Sequence, residues 1–76
     1  MDNVYLLKDL AQLSGLSIET VKYYLKIGMI KEVERSPNTH YRYFDTSTVE
    51  TLKKIREMRK NNIPLTKIKT MLEVPG

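Results

Sequence analysis

The sequence predicts a mainly α-helical domain with a small β-hairpin, in the order two helices, hairpin, two helices. Three observations predict it. Apolar residues recur at helical spacing from Leu6 to Ile27, around a break at Gly15-Leu16. The spacing becomes alternating between Met29 and Phe44, where Ile30, Val33, Tyr41 and Tyr43 flank the polar tip Arg35-Ser36-Pro37-Asn38-Thr39-His40. Helical spacing returns after Asp45-Thr46-Ser47-Thr48 and restarts beyond Pro64. All 76 residues then form one domain, with the first helix pair over about 6–27, the hairpin over about 30–44 and the later helices over about 46–61 and 64–73.

After a short extended lead-in from Met1 to Tyr5, Leu7, Leu10 and Ala11 share one face of a helix ending at Ser14. Ala11 is small where two helices cross closely, and Gly15 can take the positive φ that a tight turn needs. Ser17 stands where an N-cap hydroxyl satisfies the first amides of a second helix, and Glu19 suits its first turn. That helix runs to about Ile27, with Lys26 in its last turn and Gly28 as its C′ residue. On a wheel of about 100° per residue, Ile18, Val21 and Leu25 cluster, with Tyr24 at their edge. Glu19, Thr20, Lys22, Tyr23 and Lys26 lie opposite. Tyr23 has two explanations, an isolated exposed ring or a ring that faces a groove or a phosphate together with Thr20 and Lys22. The helix-turn-helix spacing before it favours the second.

A hairpin after such a helix is a wing whose tip can lie over a sugar-phosphate backbone. Alternation from Thr39 to Phe44 points Tyr41 and Tyr43 to one side and His40 and Arg42 to the other. Arg42 is then outward and available, whereas His40 reads as a solvated loop residue. The third helix starts at the Asp45 cluster and ends near Asn61, with Val49, Leu52, Ile55 and Met58 at every third position. Lys53, Arg56 and Lys60 align on one side of it. Arg59 projects between Leu52 and Ile55, either as a stem packed on the core with its head in water or as a guanidinium aimed at a phosphate. Asn61-Asn62-Ile63 breaks the pattern, Pro64 starts a fourth helix, and Ile68, Met71 and Leu72 supply its apolar face.

Composition narrows the chemistry. With no cysteine and a single histidine, the chain offers no disulfide and no metal centre, and no cofactor is expected. No apolar run reaches transmembrane length, and Asp2 and Asn3 stand where a signal peptide would be basic, so the expectation is a cytoplasmic protein with no membrane partner. A net charge of +4 favours a polyanionic partner, although a solvated basic surface explains it equally. Enzymatic activity is not expected, for want of a paired acid and base, a nucleophile with a partner, or a phosphate-cradling loop.

Across Tyr5 to Glu73 the sequence resembles the MerR family of bacterial transcription regulators. Leu10-Ala11, Gly15-Leu16-Ser17, Thr20-Val21-Lys22-Tyr23-Tyr24, Ile27-Gly28-Met29-Ile30, Tyr41-Arg42-Tyr43-Phe44-Asp45 and Ile63-Pro64-Leu65 with Ile68 carry the resemblance. It implies a winged helix-turn-helix with two further helices that binds a partly palindromic promoter element of double-stranded DNA as a dimer and distorts it. Position by position, Lys22 stands where the family usually has arginine and would touch base edges or phosphate. Tyr23 and Tyr24 match its tyrosine pair, Tyr41 and Arg42 its wing contacts, and Arg59 its phosphate contact from the third helix. With Ser17 and Thr20 these residues make up the expected DNA-binding set. Lysine at position 22 weakens the case for a bidentate guanine contact and keeps a point charge. Asn61-Asn62 replaces a family glycine, and Asn tolerates a left-handed turn.

Family members usually continue into a long pairing helix and a sensing region. The expectation is therefore an excised DNA-binding domain or a small standalone relative, monomeric in solution and bound as two copies to a palindromic site. Two rivals remain at this point. One is a protein-interaction module docked by an antirepressor-like partner, and the other is an excisionase-like architectural protein that bends DNA.

Overall fold

The computed structural model describes residues 4–35, 37–39 and 42–72. It shows α1 (Leu7–Ser14), α2 (Ile18–Lys26), β1 (Glu34–Arg35), β2 (Arg42–Tyr43), α3 (Thr46–Lys60) and α4 (Leu65–Leu72) in that order. Met1 to Asn3, Ser36, His40, Tyr41 and Glu73 to Gly76 lie outside the described residues, and with them the expected lead-in start, part of the expected hairpin tip and the expected end of the fourth helix.

Short-range chemistry sets each helix boundary. The Asp9 carboxylate accepts the Leu6 amide at 2.9 Å, an anion at the positive end of α1. Gly15, at φ 77°, closes α1 by donating to the Ala11 carbonyl at 3.1 Å. The Ser17 hydroxyl caps α2 by accepting the Thr20 amide at 3.1 Å. The α2 C-terminus is a Schellman turn, in which Gly28 at φ 82° donates to Leu25 and Met29 donates to Tyr24 at 2.8 Å. Asp45 caps α3 through the Thr48 amide. Its carboxyl is held below the usual range, chiefly by the Ser47 hydroxyl that donates to it. The end of α3 repeats the Schellman pattern without glycine. Asn62, at φ 63°, donates to Arg59 at 3.0 Å, and Ile63 donates to Met58 at 3.1 Å.

α1 packs on both α2 and α3, and α4 packs on α3. Leu10, Val21, Phe44, Leu52, Ile55 and Ile68 are the fully buried side chains. The β1 and β2 strands pair antiparallel, with Glu34 opposite Tyr43 and Arg35 opposite Arg42. Tyr5 and Phe44 exchange two backbone hydrogen bonds of 2.8 Å each, so the lead-in is stitched to the end of the hairpin. No helix among the described residues is long and apolar enough to cross a membrane.

Three apolar placements differ from the periodicity. Tyr24 is buried, whereas Ile18 is 37% exposed. The wheel counts only the residues of α2 itself, whereas the chain after the Gly28 turn, tied by the Met29 amide to the Tyr24 carbonyl, buries Met29 and Ile30 as well. The hairpin is correspondingly shorter than the alternation suggests, and Val33 is exposed. Met71 is exposed too, because Ile68 and Leu72, one helical turn apart, take the side of α4 that faces the core.

Candidate nucleic-acid interface

α2 presents one uncovered face. Glu19, Lys22, Tyr23 and Lys26 are exposed on it, while Val21 and Tyr24 hold the opposite side in the core. Tyr23 is 50% exposed, and its ring centroid lies 6.2 Å from that of Tyr24 at an interplanar angle of 49°. Tilted pairs at this separation contribute about 0.5–1.5 kcal/mol. Tyr24, expected as a contact, is 6% exposed, with its ring tilted against that of Tyr23. Ser17 and Thr20 share a 2.8 Å hydroxyl–hydroxyl hydrogen bond at the start of the helix, so both are tied into the cap.

Between α2 and the chain that leads into the hairpin lies an open groove of about 740 Å³. Lys22, Lys26, Lys31 and Arg42 line it together with one carboxylate, Glu32, over an apolar floor of Leu7, Leu25 and Ile30. Arg42 points outward as the alternation predicts but is not unengaged, because its Nε lies 3.2 Å from the Glu32 carboxylate. The two side chains are 42% and 30% exposed, and a pair this open to water contributes about 0–1 kcal/mol.

Sequence reasoning missed Lys31 and left Lys26 unassigned. Lys26 follows Lys22 by four residues and so shares its side of α2, a signal present in the sequence. The position of Lys31 follows from the Gly28 turn and has no periodic signature.

Arg59 is exposed and does not line this groove. Its Nη1 donates to the Ile63 carbonyl at 3.1 Å, across the turn between α3 and α4. The guanidinium of Arg56 lies against the helix-turn-helix turn instead, where a Cβ on Gly15 would stand 3.0 Å from its Nη1. Tyr41, the remaining expected wing contact, falls outside the described residues.

The sequence matches the family model described as MerR HTH family regulatory protein over residues 5–74. The HTH-type transcriptional regulator SkgA of Caulobacter vibrioides is 35% identical over 97% of this chain and 29% of its own length. CueR of Bacillus subtilis, also named an HTH-type transcriptional regulator, is 33% identical over 91% of this chain and 47% of its own length. The chain thus spans less than half of each. The crystal structure of SkgA from Caulobacter crescentus agrees with a TM-score of 0.86 at 34% identity, covering 100% of this chain and 54% of that one. With helix pair, hairpin and second helix pair in the same order, and a family match over nearly its full length, the chain belongs to the MerR HTH family of regulatory proteins.

Proposed function

We propose that this chain binds double-stranded DNA sequence-specifically, as the DNA-binding domain of a MerR-type transcription regulator. The observation that carries the proposal is the groove beside α2, where four cations and one carboxylate adjoin the outward Tyr23. α2 is the helix for the major groove, with Lys22 and Tyr23 toward base edges or phosphate. Lys26, Lys31 and Arg42 supply phosphate contacts, and Ser17 and Thr20 sit at the positive helix N-terminus, which suits a phosphate oxygen. Arg59 and Tyr41 complete the proposed contact set. Two copies on an inverted repeat match the expected palindromic element, each placing one α2 in a half-site. The reading is of a cytoplasmic, non-enzymatic protein, in line with relatives whose names describe transcriptional regulators.

Selection of bound sequences from random duplex DNA tests it. Enrichment of an inverted repeat, with weak binding to an isolated half-site, is the expected result. Retention without sequence enrichment would refute specific recognition.

A further inference from the structure

A side-chain hydrogen bond ties together residues 42 apart in the chain, from Lys69 Nζ on α4 to the Ile27 carbonyl at 3.2 Å. Ile27 closes α2, so its carbonyl sits at the negative end of that helix, where an ammonium is favoured. The same ammonium lies over the next residue, 3.5 Å from where a Cβ on Gly28 would stand. Gly28 is the left-handed residue that turns α2 into the chain bearing Lys31 and Glu32. In the DNA-free protein Glu32 also lies 3.2 Å from Arg42 of the hairpin, a solvent-open pair that adds little of its own. The joint between α2 and the hairpin is therefore fastened from outside by α4.

We propose that Lys69 is a positioning residue for DNA recognition, holding this joint so that Lys22 and Tyr23 on α2 meet DNA together with Arg42 on the hairpin. It acts through Ile27 and Gly28 and touches no nucleic acid. The inference rests on the DNA-binding reading above. The recess around Lys69, about 560 Å³ and bordered by Met29, Thr51 and Leu72, has room for a guanidinium at the same place.

The salt dependence of binding separates positioning from direct contact, because removing one cation from a phosphate flattens the slope of log affinity against log salt by about 0.9. Lys69→Met, Lys69→Arg and Arg42→Ala are compared with the parent on the selected operator, at a temperature where circular dichroism shows each to be folded. Lys69→Met should bind about tenfold more weakly with the parent's slope, since the substitution removes a hydrogen bond from a charged group. Lys69→Arg should restore binding to within about twofold, because it keeps charge and donors. Arg42→Ala should flatten the slope. Parent-like affinity of Lys69→Met, a slope flattened by about one unit, or failure of Lys69→Arg to restore binding would each overturn the proposal. Amide exchange in the DNA-free protein gives a second reading that holds even if the parent binds no DNA, an outcome that would count against the function proposed above. Lys69→Met should exchange faster at Gly28, Met29 and Val33, and unchanged rates there would overturn the positioning role by themselves.

Discussion

Glu32 is the one carboxylate among the residues lining a groove that otherwise carries Lys22, Lys26, Lys31 and Arg42. On DNA, a phosphate takes its place as the partner of Arg42, so the Arg42–Glu32 pair opposes binding. Its half-exposed geometry limits the loss to about 1 kcal/mol. The carboxylate also repels a phosphate held at its neighbour, which adds about 0.5 kcal/mol at a separation of about 8 Å in water. Glu32→Gln should therefore tighten binding by about three- to tenfold and steepen the salt dependence by up to about one unit. Arg42→Ala should do the reverse, weakening operator and unrelated duplex alike. Fluorescence anisotropy titrations of the operator and of an unrelated duplex across a salt series measure both quantities. If Glu32→Gln bound no better than the parent, Arg42 would be using the carboxylate as an aiming partner and the competition argument would fail. A parent-like salt slope for Arg42→Ala would remove the hairpin from the phosphates altogether.

The end of α3 offers a test of backbone strain, since Asn62 is exposed and holds φ 63°. Asn62→Ala should cost about 1 kcal/mol, lowering the thermal midpoint by about 4–8 °C in a domain this size. Asn62→Gly should raise it, and equal midpoints for the two variants would show that the turn does not determine stability. Tyr23→Ala should leave the thermal midpoint near the parent's while weakening operator binding. Tyr24→Ala should lose about 3–5 kcal/mol of core packing and unfold much of the population, and similar melting of the two variants would contradict their opposite burial. For Asp45, hydrogen bonding lowers the folded pKa below the ordinary value of 3.8. The stabilisation is therefore present above that value and lost as pH falls through the folded pKa. Asp45→Asn keeps the capping oxygen, so its denaturation midpoint should decline less than the parent's on acidification, and an identical acid limb would refute the assignment.

What the sequence made legible was whatever is decided locally. Gly15, Ser17, Asp45 and Asn62 set turns and caps through their own backbone and nearest amides, and each can be read without knowing the fold. Surfaces decided by distant partners were harder. A helical wheel cannot choose between Ile18 and Tyr24, because it carries no record of the chain that returns through the Gly28 turn and buries Met29 and Ile30. The alternating run that suggested a long hairpin contains those same two residues, which are apolar for the core. Lys31 reaches the groove through that return, and the Tyr5–Phe44 bridge and the Lys69–Ile27 bond join segments with no shared periodicity. Arg42 was placed on the correct side by alternation, yet its Glu32 partner depends on how the chain enters the hairpin.

α2 is nine residues long, and helices shorter than about 12–15 residues are marginal alone in water. Its order comes from attachments along its length. The Gly15 turn and the Ser17–Thr20 cap hold its start, with the Arg56 guanidinium against that turn. Burial of Val21 and Tyr24 holds its middle. The Gly28 turn and Lys69 hold its end. Apart from the Ser17–Thr20 cap, which also belongs to the proposed contact set, these attachments lie off the outward face. Lys22, Tyr23 and Lys26 are consequently spared from packing, so their chemistry can vary with the sequence to be read while the helix stays in place. The cost of this arrangement is that recognition becomes sensitive to residues that meet no DNA, because a change at either end of α2 redirects all three outward side chains together.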